Sequence, residues 1–168
     1  MTTLWHTDTH LDKLIETFTV WDNCIIDQIF LPYDIRASRA HAQMLQSINI
    51  ISRDELVRIE KWLQEILDLH KAGNFHIEPS QEDCHTAIEV FLTEKYGDIG
   101  KKIHTGRSRN DQSLTMIRLF LKDQVQVAEE NLNTLIDVCK KQALSDIAMP
   151  GYTHMQKAMP TTVGTWIS

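Results

Sequence analysis

The sequence predicts an all-α protein. An N-terminal helical domain covers residues 1–110, and residues 111–168 begin a long central helical bundle. Three observations carry this. Apolar residues recur at threes and fours through most of the chain and seldom alternate. Capping and breaking residues stand between those runs, at Ser52, Gly73, Ser80 and Gly97. From Gln112 to Met149 there is neither glycine nor proline.

Over residues 1–21, Leu11, Leu14, Ile15 and Phe18 fit a helical stripe. His6 and His10 are four apart, but no third ligand lies nearby, so they read as solvated and not as a metal site. Cys24 to Leu31 has a short helical pattern that Pro32 interrupts. A second helix runs from about Asp34 through Leu45, with Ile35, Ser38, Ala42 and Leu45 on one side. Ser52-Arg53-Asp54-Glu55 is a capping box, hydroxyl and carboxylate each satisfying an orphan N–H. The helix it opens packs Leu56, Ile59, Leu63, Ile66 and Leu67, and Gly73 closes it.

Phe75 to Pro79 is the one extended-looking stretch, limited by its proline to an edge or a connector. Ser80-Gln81-Glu82-Asp83 caps a further helix that turns Ala87, Ile88, Phe91 and Leu92 inward and stops near Gly97. Gly97 to Lys101 lacks the spacing and the hydroxyl of a nucleotide phosphate loop. In the longest element Leu114, Ile117, Leu121, Val125, Ala128, Leu132, Leu135 and Cys139 form a stripe, with Met116, Phe120, Val127 and Ile136 beside it. Some 35 residues make a rod of about 50 Å, which 168 residues cannot bury by themselves. It needs partner helices from other subunits or from sequence beyond Ser168, and its apolar band is wider than a coiled-coil seam. The chain stops on a fresh apolar helix start (Val163, Trp166, Ile167), which reads as truncation.

Composition narrows the function classes. The chain has 42% apolar and 24% charged residues, ordinary for a soluble globular protein. A net charge of −6 argues against a nucleic-acid binder. Cys24, Cys84 and Cys139 are odd in number and far apart, reading as free thiols in a reducing compartment. Without a signal-like start or an 18-residue apolar run, the expectation is a cytoplasmic protein with no membrane contact.

Two polar clusters interrupt the packing pattern. His104-Thr105-Gly106-Arg107-Ser108-Arg109-Asn110-Asp111-Gln112 gathers donors just before the long helix. Arginine forks and helix-start N–H groups suit an anion, so the expected ligand is a small molecule bearing carboxylates or phosphates. The second cluster, Thr153, His154, Gln156 and Lys157, lies between Pro150 and Pro160 at the far end of the rod. Clusters about 50 Å apart along one rod meet only when rods from different chains pack antiparallel. His85, in a first helical turn beside Asp83, matters only if the first cluster folds back against it.

These clusters resemble the first and second signatures (104–112 and 151–156) of the argininosuccinate lyases, in the fumarase/aspartase superfamily. Glu82-Asp83-Cys84-His85, Tyr33-Asp34-Ile35, Ala40-His41 and Leu4-Trp5 are also similar, in the right order. The resemblance implies a helical bundle of that superfamily's type, a homotetramer with shared active sites, and no metal or organic cofactor. It implies reversible β-elimination of argininosuccinate to arginine and fumarate, in arginine biosynthesis. His154 would take part in acid–base transfer, and Ser108, Arg109, Asn110, Thr153, Asp83 and His85 would bind substrate. Departures are the missing glycine-rich start at His6-Thr7-Asp8, no counterpart of the early serine in 18–23, and cysteine at 84. The family's third signature, which brings the catalytic serine, has no match, and family members are more than twice this length. Rival readings are another fumarate-releasing lyase and a non-catalytic assembly protein of the crystallin kind.

Overall fold

The computed structural model of the protein describes Asp12, Leu14, Ile15, Phe18 and residues 23–168. The expectations placed on His6, His10, Leu11 and the Leu4-Trp5 opening lie outside the described residues. The chain divides into two compact units, one ending at Phe120 and one running from Leu121 to Ser168.

The first unit packs α1 (Asn23–Ser47), α2 (Arg53–Lys71), α3 (Cys84–Tyr96), the short α4 (Asp98–Lys101) and the start of α5 (Arg109–Ala143). The expected break at Pro32 does not occur: α1 runs through it. Proline costs an interior helix about 3 kcal/mol, by removing one N–H and crowding the preceding turn. Leu31, Ile35 and Leu45 on the same helix are fully buried, and burying each returns roughly 1.5–3 kcal/mol. Tertiary burial therefore outweighs the local penalty, and two expected helices are one.

The capping box forms as expected. The Glu55 N–H donates to Ser52 Oγ at 3.2 Å, and the Ser52 N–H to Glu55 Oε2 at 2.8 Å. Lys102 Nζ reaches the same carboxylate at 2.6 Å. Gly73 turns the chain out of α2 with φ of 71°, a conformation open to glycine at little cost. Between α2 and α3, Phe75 and Ile77 are buried while His76 and Glu78 are exposed, the period of two that extended backbone imposes. Asp83 caps α3 by accepting from the Thr86 N–H at 2.8 Å. Trp62 of α2 stacks on Tyr96 of α3 with centroids 3.8 Å apart. The core joins Leu31, Ile35, Ala42, Leu45, Ile59, Leu63, Ile66, Ala87, Ile88 and Leu92. Phe30 and Tyr33 meet Phe120 edge-on at 5.0 and 5.5 Å, which with buried Met116 fastens the start of α5 to α1 and α3.

In the second unit, α5 continues with Leu121, Val125, Leu132 and Leu135 exposed. Beyond it, β1 (Ala148–Met149) pairs antiparallel with β4 (Thr161–Thr162), and β2 (Tyr152–Thr153) with β3 (Gln156–Lys157). The last element is α6 (Val163–Ile167), capped by Thr162, whose Oγ1 accepts from the Thr165 N–H. The fold is all-α as expected, and the two-residue strands only shape the second polar cluster. No helix among the described residues is long and apolar enough to cross a membrane.

Candidate functional site

The long helix opens on a capped turn. Ser108 Oγ accepts from the Asp111 N–H at 3.3 Å, and Asp111 Oδ2 accepts from the Ser108 N–H at 3.2 Å. Such reciprocal bonds satisfy two orphan donors and leave a carboxylate near the positive helix end. Ahead of it, Gly106 takes a φ of 67°, and His41 Nε2 lies 3.0 Å from the Thr105 carbonyl. Burial pushes the His41 pKa down, which suits a neutral ring donating to that carbonyl.

The turn throws its two arginines in different directions. The Arg107 side chain, nearly buried, donates through Nη1 to Ser38 Oγ at 3.0 Å, with Nη2 3.6 Å from Asp34 Oδ1. Arg109 lies against the N-terminus of α3. Its Nη1 is 3.1 Å from Glu82 Oε2, its Nε 3.0 Å from Asp83 Oδ2, and its Nη2 2.7 Å from Thr86 Oγ1. Asp83 therefore both caps α3 and pairs with Arg109. Asn110 is exposed on the first turn of α5.

Behind Arg107 lies a buried polar cluster. Asp34 and Ser38 sit one turn apart on the apolar face of α1, and Asp34 is 1% exposed. Its Oδ2 is 2.7 Å from His85 Nδ1, and the other ring nitrogen, Nε2, is 3.1 Å from Ser113 Oγ. Burial alone lowers the His85 pKa. The Asp34 carboxylate, with Asp83 and Asp27, outweighs it, so the net shift is upward. The fold-back that would give His85 weight has taken place, and the residue is interior.

Asp34, Cys84 and His85 bring their donor atoms within 4.8 Å of one another, the one such trio among the described residues. Its chemistry fits a hydrogen-bond network better than a cation. Asp34 is already bonded to His85 and Ser38 and faces the Arg107 guanidinium. The Cys84 thiol lies 3.5 Å from Met116 Sδ, and burial pushes its pKa up, against the thiolate a metal takes.

Thr153 and His154 lie in the second unit. His154 and Met155 are the two central residues of the hairpin between β2 and β3, with φ of 47° and 65°. Two positive φ values mark the I′ family of turns, whose twist matches the flanking strands. Each non-glycine residue held there costs roughly 1–2 kcal/mol. Thr153 Oγ1 sits 3.2 Å from His154 Nδ1, and both residues are exposed.

Of the residues singled out in the sequence, Asp83, His85 and Arg109 are drawn together at the α3–α5 junction, with Ser108 as the adjoining cap. Sequence reasoning left Asp34, Ser38, Arg107 and Ser113 out of the site. A usable signal existed for the first two, polar residues four apart on an apolar stripe.

The family model described as Lyase matches residues 7–168, and the chain belongs to that family. Its similarity within the family is to argininosuccinate lyases, as the two signatures suggested. The Thermotoga neapolitana argininosuccinate lyase is 43% identical over 168 residues, covering 97% of this chain and 42% of that protein. The one from Xanthomonas campestris pv. campestris is 45% identical over 160 residues (93% and 37%). The one from Xylella fastidiosa (Temecula1) is 44% identical over 166 residues (97% and 37%). The chain thus spans about two fifths of the length of the curated relatives it matches.

Proposed function

We propose that this chain supplies part of the active site of an argininosuccinate lyase, which splits argininosuccinate into arginine and fumarate by β-elimination. The observation that carries the reading is the folded form of 104–112: a capped helix start with one arginine anchored inward and the next at the α3 cap. Elimination removes a proton beside a carboxylate, whose negative charge grows before the guanidino nitrogen leaves. Fixed donors around that carboxylate stabilise the growing charge.

Ser108, Arg109 and Asn110 serve as those donors, with Asp83 and His85 ordering the wall behind them. Thr153 adds a hydroxyl and His154 takes part in proton transfer, from a turn whose two-residue geometry fixes the imidazole's backbone. The exposed apolar face of α5 suits packing against other copies, and we assign the protein to homotetramers with shared sites. The free cysteines suit a reducing cytoplasm.

The test is fumarate release from argininosuccinate, followed by ultraviolet absorbance. It uses this chain alone and this chain joined to the remaining length of the Thermotoga neapolitana relative. The joined protein turns over, and Arg109→Ala and His154→Ala each abolish turnover while leaving helicity intact. Near-normal rates in either variant overturn the assignment of that residue. A joined protein that folds and releases no fumarate overturns the function.

A further inference from the structure

We infer that Ser113 is a carboxylate-binding hydroxyl of this site, aimed by the buried Asp34–His85 pair, and that His85 reaches substrate only through it. The inference rests on the lyase reading and extends it to a residue just past the nine-residue stretch.

The argument starts from the ring. His85 is 6% exposed, with Nδ1 committed to Asp34 and Nε2 to Ser113. An imidazole has no third nitrogen, so anything it does outside its own cluster passes through the Ser113 oxygen. The charged groups around the ring are Asp34 and Asp27 of α1, Asp83 at the α3 cap, and Arg107 from the turn before α5. Burial opposes the charged ring, but the Asp34 hydrogen bond and three carboxylates against one guanidinium outweigh it and favour the imidazolium, in line with its upward shift. Nδ1–H then donates to Asp34 and Nε2–H to Ser113 Oγ. A serine oxygen that accepts there must turn its own hydrogen elsewhere.

Other hydroxyls of α5 show where it usually goes. Thr115 donates to the Asp111 carbonyl at 2.7 Å and Thr134 to the Glu130 carbonyl at 2.9 Å, the back-bonding common for helical hydroxyls. Ser113 makes no such bond, and among the described residues its hydroxyl is bonded to His85 alone. Its hydrogen remains for an entering acceptor. Ser113 follows Arg109 by one helical turn and so shares its face. It is half-buried, close to the positive end of a 35-residue helix. A hydroxyl oriented by a buried cation, beside a guanidinium and a helix N-terminus, suits one oxygen of a small dicarboxylate.

The experiment titrates succinate, a dicarboxylate that cannot eliminate, into this chain joined to the remaining length of the Thermotoga neapolitana relative, following heat and the 15N–1H signals of the His85 ring. Succinate binds and moves the Nε2–H signal. Ser113→Ala weakens binding by roughly ten- to a hundredfold, the worth of one hydrogen bond to a charged group. Ser113→Thr, which keeps the hydroxyl, stays near the unaltered protein in binding and melting, while Ser113→Ala, which leaves the buried Nε2–H unpaired, melts lower but remains folded at the temperature of the titration. Binding unchanged in Ser113→Ala overturns the inference and leaves the lyase reading standing. So does a His85 signal that Ser113→Ala does not move in the free chain. If the unaltered chain binds no succinate, the carboxylate site itself falls, and the inference with it.

Discussion

Replacing Asp34 by alanine removes the one anion that faces two buried cationic groups. His85 Nδ1 lies 2.7 Å and Arg107 Nη2 3.6 Å from its oxygens, and those two side chains are 5% and 7% exposed. Deleting one partner of a buried pair costs roughly 3–5 kcal/mol, because the other charge is left without compensation. Stability of ordinary domains totals about 5–15 kcal/mol, and for this chain length the loss lowers melting by on the order of 10 °C. The pH dependence has a definite sign. Burial opposes the His85 charge most strongly of any single influence, but the Asp34 bond and charge together with Asp83 and Asp27 outweigh it, so the folded pKa is raised. A raised histidine stabilises fully below about pH 6.5, its unfolded value, and loses that contribution as pH rises through the folded value. In Asp34→Ala burial is opposed only by Asp83 and Asp27, so the pKa falls and the stabilisation at low pH shrinks. Urea unfolding followed by circular dichroism at about pH 6 and pH 9 reads both effects. The gap between the two proteins is largest at the lower pH and narrows at the higher, without closing, because Arg107 stays charged. A cost under about 1 kcal/mol at pH 6, or a gap that widens with pH, refutes the account of the cluster.

Pro32→Ala restores one N–H and relieves crowding inside α1, so unfolding free energy rises by about 1–3 kcal/mol; urea midpoints decide, and a fall would mean that Pro32 contributes packing the account omits. Gly100→Ala places a Cβ 2.6 Å from the backbone carbon and oxygen of Leu92 and costs roughly 1–3 kcal/mol by overpacking; a melting point unchanged within error would show α4 free to move off α3. Lys102→Ala acts on the α2 cap. Glu55 is held at about 2, first by Lys102 and then by the Ser52 N–H. A lowered carboxyl stabilises above its unfolded value near 4.3 and loses that as pH falls through the folded one. In the variant, NMR titration of Glu55 moves up toward the ordinary value, and the box opens at a correspondingly higher pH.

The elements most legible in the sequence are those whose determinants are neighbours in the chain. Ser52 and Glu55 close a box three residues wide, and Gly73 and Gly97 end α2 and α3 where positive φ is needed. The 35 residues of α5 follow from a periodic run without a breaker. Pro32 misled because the local rule is right about the penalty and silent about the burial of Leu31 and Ile35 against it. The pairings inside the buried cluster were beyond local rules. Asp34 meets His85 across 51 residues of sequence, and Ser38 meets Arg107 across 69. A polar pair on an apolar stripe announces that partners exist; which partners is a property of the packing.

The two arginines of the 104–112 stretch show why a motif and a site are different things. By type both are forks for an anion, yet Arg107 lies inside against Asp34 and Ser38, and Arg109 already faces Glu82 and Asp83. A substrate carboxylate approaching Arg109 meets a guanidinium balanced by two carboxylates of its own chain, which reduces the attraction the bare sequence suggests. Asp83 is tied down, since its other oxygen caps α3; the half-exposed Glu82 is the less committed of the two. On the lyase reading proposed above, the exposed Asn110 amide and the Ser113 hydroxyl are the donors that bear more of the recognition than their residue types announce. Arg107 ties the turn before α5 to α1, and Arg109 ties the start of α5 to the α3 cap; such ties hold neighbouring donors still, which the proposed carboxylate chemistry requires.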